Sequence, residues 1–315
     1  GEKSKRGLLR YWCTSCKKTY SFSKRKTWKK KSDLFWTEKY ILYGVTYEVL
    51  SSWSKYSIQS LVSKVHNILG QDLPQLTIPE LTTEEAYLLV DGLWFGKRYC
   101  LMLYRHSKRK IILHASFVSK EYGSLIAKDL KLLKLKYRFT GIVSDGGTGI
   151  RNAVFKVFGN IPHQICMAHL HRDVINAIGR YPKDYRVKKL KKIADHIFLI
   201  ESKEALHWWT DKLQKWIDKN RNFLMEYRTD TDGHWWYIHT GVRKAVRILV
   251  SLPDSSFKFL DHPLMPKTTN ELEGSISVLS RKHDIHKGLK RERVKSFLSW
   301  FIYFYNRKIL SQRKN

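Results

Sequence analysis

Cysteine and acidic residues are scarce in this sequence, and long apolar runs are absent. Its 315 residues include four cysteines, Cys13, Cys16, Cys100 and Cys166, which are too few for a disulfide framework. No signal peptide precedes them, so we expect a reducing compartment. Because no run of eighteen apolar residues occurs, the sequence predicts neither a membrane-spanning helix nor a membrane partner.

The shortage of acidic residues leaves a strongly basic chain. Asp and Glu number 28 against 59 Lys and Arg, which gives a formal net charge of +31. This excess favours a polyanionic partner, because each phosphate contact releases condensed counterions. Aromatic residues make up 13% of the chain, and with basic side chains they suit a surface that holds phosphates and stacks on bases. We therefore expect nucleic acid as the partner.

The basic, aromatic segment 1–36 carries a Cys-x-x-Cys pair. Cys13 and Cys16, followed by two lysines, resemble the second knuckle of a zinc ribbon, in which two thiolates on one turn lie about 2.3 Å from Zn²⁺. The sequence contains no first knuckle upstream, and half a site holds zinc poorly. We interpret the segment as a zinc-ribbon-like remnant, either a partial Zn²⁺ site or an inert pair.

The next segment, 37–70, predicts short helices. Apolar residues recur there at helical spacing: Ile58, Leu61, Val62, Val65 and Leu69. Helices beside a basic zinc-ribbon remnant resemble a helix-turn-helix DNA reader, although a plain helical hairpin has the same pattern. Residues 71–84 contain two prolines among polar residues and predict a linker.

A mixed α/β core is predicted for 85–173. Three strands in an antiparallel meander are followed by helix, strand, helix, strand and helix, which is the order of the ribonuclease-H-like fold. In that fold the first and fourth strands are neighbours. Asp91 lies in the first of these strands and Asp145 ends the fourth, so the fold would bring the two carboxylates together.

Between the core and its last helices, residues 174–265 predict an all-helical insertion, because glycine is sparse and strand alternation is absent. Residues 266–315 are expected to return to the core as C-terminal helices. Four tryptophans of the insertion are candidates for stacking on an unpaired base, with core packing as the alternative; they are Trp208, Trp209, Trp235 and Trp236.

Three carboxylates at the ends of predicted elements suggest a two-metal site. Asp91, Asp145 and Glu273 would hold Mg²⁺ or Mn²⁺, which prefer hard oxygen ligands. Each has a simpler interpretation: the aspartates precede glycine as in turns, and Asn270-x-x-Glu273 fits a helix capping box. Glu271 competes for the third position, but residues two apart point about 200° away from each other on a helix, so only one can face the site.

Cys166 and His169 form a Cys-x-x-His pair just after the last core strand. Two local ligands are too few for a zinc site. A structural role beside the carboxylates is predicted, with His169 hydrogen-bonded near them. A buried cysteine and an unrelated surface histidine are the alternative.

Taken together, four motifs resemble a known family. Val-Asp91-Gly, Ser-Asp145-Gly-Gly, Cys166-Met-Ala-His169 and Asn270-Glu-Leu-Glu273-Gly, in this order, are similar to the DDE transposases of the mutator-type superfamily of bacterial and archaeal insertion sequences. The resemblance implies cleavage at transposon ends and strand transfer into target DNA, with Asp91, Asp145 and Glu273 as the catalytic residues.

The same resemblance implies double-stranded DNA as the partner, a homodimer, and a place at the nucleoid in a prokaryotic cytoplasm. Two other functions remain open from the sequence. One is a DNA-binding protein without catalysis, derived from a transposase. The other is a ribonuclease-H-like nuclease that cuts without strand transfer.

Overall fold

The computed structural model describes residues 10–21, 32–74, 86–95, 99–118, 123–252, 256–285 and 291–312. The chain divides into two compact units, one of Gly1–Tyr40 with Val45–Ile68 and one of Ile41–Gly44 with Leu69–Asn315. Most of the predicted linker 71–84 lies outside the described residues. Among the described helices, none combines the length and the apolar character that crossing a membrane would require.

The first unit contains a short hairpin and three helices. Strands β1 (Arg10–Trp12) and β2 (Thr19–Ser21) pair antiparallel, and helices α1 (Asp33–Ile41), α2 (Tyr47–Ser54) and α3 (Ile58–Leu69) follow. The Thr46 side chain caps α2 by accepting a hydrogen bond from the Val49 N–H. The predicted helical segment is therefore helical.

The second unit is built on a mixed five-stranded sheet. Its strands are β3 (Tyr87–Phe95), β4 (Tyr99–His106), β5 (Ile112–Val118), β6 (Gly141–Ser144) and β7 (His163–Ile165), in the spatial order β5-β4-β3-β6-β7. The first three strands are antiparallel, and β6 runs parallel to both β3 and β7. The chain order of these strands and the pairing of the first core strand, β3, with the fourth, β6, agree with the prediction.

Helices of the core are α4 (Gly123–Lys136), α5 (Thr148–Phe158) and α6 (Met167–Ile178). Helices α4 and α5 cover one face of the sheet, where their apolar side chains pack on Leu88, Val90 and Ile142 in one core cluster. The start of β3 is buried without alternation from Ala86 to Val90, as expected of a central strand. Parallel pairing matches Val90 with Ser144, so Asp91 and Asp145 follow at the same edge of the sheet.

The inserted segment is mostly helical, with α7 (Tyr185–Asp195), α8 (Lys203–Lys219), α9 (Arg221–Met225) and α10 (Thr240–Val250). It also contains a hairpin of β8 (Tyr227–Thr229) and β9 (Trp235–Tyr237), so the prediction of an all-helical insertion was wrong.

The turn of this hairpin explains the difference. The Asp230 carboxylate accepts hydrogen bonds from the N–H groups of Asp232 at 3.0 Å and His234 at 2.8 Å. Gly233 supplies a left-handed backbone with φ of 83°. These local bonds reverse the chain and begin a strand at Trp235, where sparse glycine and the absence of strand alternation had predicted a helix.

Two helices close the unit, α11 (Asn270–Ile285) and α12 (Arg291–Gln312). Helix α12 seals the free edge of the sheet at β5. The Asn306 amide accepts a hydrogen bond from the Ile112 N–H at 2.9 Å and donates one to the Ile112 carbonyl at 2.8 Å. This buried amide substitutes for a neighbouring strand at that point of the edge.

Candidate metal centre

Adjacent strands position the two aspartates. Asp91 is 4% exposed within β3, and its Oδ1 accepts a hydrogen bond of 2.8 Å from the Gly92 N–H. Asp145 follows β6, and its Oδ1 accepts one of 2.9 Å from the Gly147 N–H. The turn that follows Asp145 requires glycine, since Gly146 has φ of 81° and a Cβ there would lie 2.5 Å from Ile165.

Helix α6 brings the Cys-x-x-His pair to the same place. Cys166 is buried at its N-terminus, and His169 lies one turn into the helix. Nε2 of His169 lies 3.9 Å from Asp91 Oδ1, and Nδ1 lies 3.5 Å from Glu273 Oε1. The structure therefore places His169 beside two of the predicted carboxylates, at ion-pair rather than hydrogen-bond distance.

The thiol and the imidazole influence each other. Hydrogen bonding with Cys166 raises the pKa of His169 to about 9, and the charges of Asp91 and Glu273 act in the same direction against burial. Burial alone would raise the pKa of the Cys166 thiol, but hydrogen bonds with His169 and Thr269 lower it. At neutral pH the imidazole is therefore a cation inside an acidic cluster.

Helix α11 delivers Glu273 and turns Glu271 away. Glu273 Oε1 accepts a hydrogen bond of 3.0 Å from Arg172. Glu271 instead pairs with the buried guanidinium of Arg105 at 3.5 Å and with Lys110 at 4.0 Å. The geometry thus separates the two glutamates as helical spacing predicts, and it is Glu273 that lies beside His169.

Two residues of this cluster were not predicted from the sequence. Arg172 follows His169 by three positions on α6, so it lies on the same face. The Thr269 hydroxyl lies 3.4 Å from Asp91 Oδ2 and 3.3 Å from Cys166 Sγ, and its N–H donates to the same sulfur at 3.2 Å. The only sequence signal for either was its spacing from a predicted residue.

The geometry and charges of this cluster are those of a group that could hold a metal ion. Ligand atoms of Asp91, His169 and Glu273 all lie within 4.8 Å of one another. Asp145 is outside this group, but its charge still acts on Asp91. Burial raises the pKa of Asp91 to about 6, and the neighbouring Asp145 and Glu273 charges add to the rise, while His169 opposes it.

The donor chemistry suits a hard divalent cation. Asp91 and Glu273 supply carboxylate oxygens, the ligands that Mg²⁺ and Mn²⁺ prefer, and Asp145 follows the neighbouring strand. Nδ1 of His169 is buried without a hydrogen-bond partner among the described residues, which leaves this corner of the cluster unsaturated. Asp91, Glu273 and His169 each offer one possible ligand atom in this cluster.

The predicted thiolate pair lies away from this centre in the chain. Cys13 and Cys16 occupy the turn of the β1–β2 hairpin, where the Cys16 N–H donates to Cys13 Sγ at 3.4 Å. Neither belongs to a group of three or more close metal ligands within the described ranges. Within the described residues, these two thiols are therefore the only zinc ligands that this hairpin offers, the same two that the sequence indicates.

The four tryptophans have different environments. Trp209 is buried, and its Nε1 donates to the Ile193 carbonyl at 2.8 Å, so it is a core residue of the insertion and the prediction of base stacking was wrong for it. Trp208, Trp235 and Trp236 are exposed. Trp235 packs edge-on against Tyr227 and Tyr237 on the β8–β9 hairpin.

A comparison with known families shows that the chain is a transposase of the DDE type. The matching family is described as the Transposase IS66 family, and its sequence model covers residues 130–292, which include Asp145, His169 and Glu273 but not Asp91. Since more than half of the chain matches, the protein belongs to this family. The match does not support the mutator-type superfamily that the motifs resemble. No curated protein matches the chain.

Proposed function

We propose that this protein is a DNA transposase that cleaves the ends of its own mobile element and joins the freed 3′-hydroxyl to target DNA. The observation that carries the proposal is the approach of Asp91, Glu273 and His169 to within 4.8 Å, with Asp145 on the neighbouring strand, in a chain of the IS66 family. The order of core elements supports a ribonuclease-H-like catalytic domain.

In this proposal Asp91, Asp145 and Glu273 hold two divalent ions, Mg²⁺ or Mn²⁺. Bound there, the ions would activate the attacking oxygen and stabilise the leaving oxygen of phosphoryl transfer. Burial of Asp91 and its hydrogen bond with Gly92 fix one ligand on the rigid sheet. The Asp145 turn fixes the second, and the first turn of α11 fixes the third.

His169 and Cys166 have a supporting role. The imidazolium lies between Asp91 and Glu273 and reduces the repulsion between them, while Thr269 links Asp91 to the Cys166 sulfur. These contacts join α6 and the start of α11 to the sheet at the carboxylates. Without them, three like charges from separate elements would repel each other.

The partner of the proposed reaction is double-stranded DNA, bound by a homodimer. The net charge of +31 supports it, because neutralised phosphates release counterions. The first unit, with its Cys13 and Cys16 hairpin and its helices, is proposed to read the transposon end, with Zn²⁺ restricted to a partial site. Trp235 and Trp236 are exposed on a hairpin and are proposed to stack on an unpaired base near the cut.

A cleavage and joining assay tests this function. The substrate is a labelled duplex of the terminal inverted repeat from the DNA flanking the gene, with supercoiled plasmid as target and Mg²⁺ present. We expect a nick that leaves a 3′-hydroxyl, followed by joined products, and loss of both in Asp145→Asn and Glu273→Gln while DNA binding is retained.

Two outcomes would replace the proposal. Cleavage without joined products indicates a nuclease that lacks strand transfer. Binding without cleavage in the unmodified protein, with Mg²⁺ and with Mn²⁺, indicates a DNA-binding protein that has no catalytic activity.

A further inference from the structure

A cleft separate from the carboxylates begins three residues after Asp145. It runs along α5, past the loop from Gly159 to His163, to the 3₁₀ turn Lys258–Leu260 and the two residues after it. Its volume of about 770 Å³ is within the size range of ligand pockets, roughly 300–1,000 Å³. The cluster around Asp91 uses none of the residues that line this cleft.

The cleft presents positive charge without matching negative charge. Arg151 and Lys258 line it, and neither lies within 4.0 Å of a carboxylate among the described residues, although the charge of Lys258 also acts on Asp261. The acidic residue of the lining, Asp261, is already paired with Lys203, whose Nζ lies 2.6 Å from the carboxylate. An anionic ligand would therefore meet two available cations and a neutralised carboxylate.

One stripe of α5 lines the cleft and is not needed for packing. The opposite side of the helix buries Ile150, Ala153, Val154 and Val157 in the core. The stripe consists of Thr148, the adjacent Arg151 and Asn152 one turn later, and Phe155 one turn after them, and the buried Val154 also borders the cleft. Phe155 is 69% exposed, so its ring can contact a ligand.

The wall of the cleft is connected to the Asp145 turn. Nε2 of His163 lies 2.8 Å from the Ser144 hydroxyl, which also accepts a hydrogen bond of 3.3 Å from the Gly146 N–H. A ligand against His163 would thus lie one hydrogen bond away from the Ser144 hydroxyl beside this turn.

We propose that this cleft binds a single strand of the DNA substrate next to the cleaved bond. Arg151 and Lys258 contact its phosphates, the Asn152 and Asn160 amides add neutral hydrogen bonds, and the Phe155 ring stacks on an unpaired base. A cationic groove with an exposed aromatic ring is the combination that single-stranded nucleic acid requires. This inference rests on the proposed function and assigns one face of its DNA-binding surface.

The first test measures phosphate contacts by their salt dependence. A fluorescein-labelled 20-nucleotide DNA strand and the corresponding duplex are titrated with the full chain at several salt concentrations. In Arg151→Glu/Lys258→Glu the slope of log K against log salt should become shallower by about 1.4 for the single strand, because each lost contact contributes about 0.7.

The control is Lys128→Glu/Lys156→Glu, which makes the same change in net charge on exposed positions of α4 and α5 outside the cleft. Its slope should remain that of the unmodified protein. Equal slopes in the two double variants would overturn the proposal. So would a change seen only with the duplex, or only with an RNA strand of the same sequence.

The second test addresses stacking. Phe155→Ala should bind the single strand about fivefold or more weakly, and should bind an abasic strand of equal length as the unmodified protein does. Leu132→Ala, which removes an exposed apolar side chain from α4, should change neither affinity. Equal losses for intact and abasic strands would contradict stacking.

Cleavage of the terminal-repeat duplex by the unmodified protein separates the two proposals. Unchanged slopes together with normal cleavage would show that the cleft does not bind the single strand, and would leave the proposed transposase function intact. Absence of cleavage together with a changed slope would reject the proposed transposase function but support binding of DNA in the cleft.

Discussion

Arg172 donates a hydrogen bond of 3.0 Å to Glu273 Oε1, the same oxygen that lies 3.5 Å from Nδ1 of His169. Two cations therefore approach a carboxylate that is proposed to bind metal. The His169 side chain is 20% exposed, whereas that of Arg172 is half exposed, at 52%. Arg172 is thus the cation that can leave most easily when a divalent ion approaches Glu273.

This arrangement predicts that Arg172 competes with metal. Arg172→Gln should increase the affinity for Mn²⁺ by up to about fivefold, since an exposed ion pair contributes roughly 0.2–1 kcal/mol. Electron paramagnetic resonance of free Mn²⁺ in a titration measures the affinity directly. Arg180→Gln, an exposed arginine beyond the end of α6, is the control and should bind Mn²⁺ as the unmodified protein does. Weaker binding in Arg172→Gln would show that Arg172 supports the ligand rather than opposing the metal.

The two glutamates of α11 are predicted to give opposite phenotypes. Glu273→Gln should abolish Mn²⁺ binding and cleavage with little loss of stability, because it removes a ligand and relieves repulsion. Glu271→Gln should retain Mn²⁺ binding but lower the free energy of unfolding by about 1–3 kcal/mol, because the buried Arg105 loses its charged partner.

Urea unfolding and Mn²⁺ titration on both variants check this pair. Each variant is the other's matched control, since both make the same chemical change two residues apart on one helix. Loss of Mn²⁺ binding in Glu271→Gln with retention in Glu273→Gln would reverse the assignment of the third ligand.

The chain order explains why so much of the core could be predicted. Buried strands of the sheet are short, nearly continuous apolar runs, and Asp91 and Asp145 mark the neighbouring parallel pair. Asp145 also precedes Gly146, whose left-handed backbone shows that the turn requires glycine. The core strands and the turn after Asp145 could be predicted because residues close together in the sequence determine them.

The remainder depends on contacts between distant segments. The link from Thr269 to Cys166 and the bonds of Asn306 to Ile112 join residues about 100 and 194 positions apart, and no local pattern records them. The hairpin at Trp235 was missed because its strands are too short to show alternation, while the turn is formed by the hydrogen bonds of Asp230. Burial of Trp209 likewise depends on the helices around it.

The tryptophans of the insertion are predicted to have different roles: Trp209 in stability and Trp236 in DNA processing. Trp209→Ala should lower the free energy of unfolding by about 3–5 kcal/mol, because it leaves a cavity and an unpaired Ile193 carbonyl. Trp236→Ala, at an exposed position, should leave the melting temperature unchanged and reduce cleavage of the transposon end. Thermal melting and the cleavage assay separate the effects. Normal cleavage by stable Trp236→Ala and Trp235→Ala proteins would assign these residues to the hairpin alone.

Burial of Asp91 predicts a pH-dependent gain of stability on neutralising its charge. Its pKa is 3.8 in the unfolded chain and about 6 in the folded protein, so the folded state binds the proton more tightly. The contribution of this carboxyl to stability is complete below about pH 4 and is lost as the pH rises through 6. Asp91→Asn removes that loss, so in EDTA its free energy of unfolding should exceed that of the unmodified protein by up to about 3 kcal/mol at pH 7 and by little at pH 4. Mg²⁺ should raise the melting temperature of the unmodified protein only. Urea unfolding across this pH range checks the sign, and an advantage that stays constant from pH 4 to 7 would show that packing, not charge, distinguishes the two proteins.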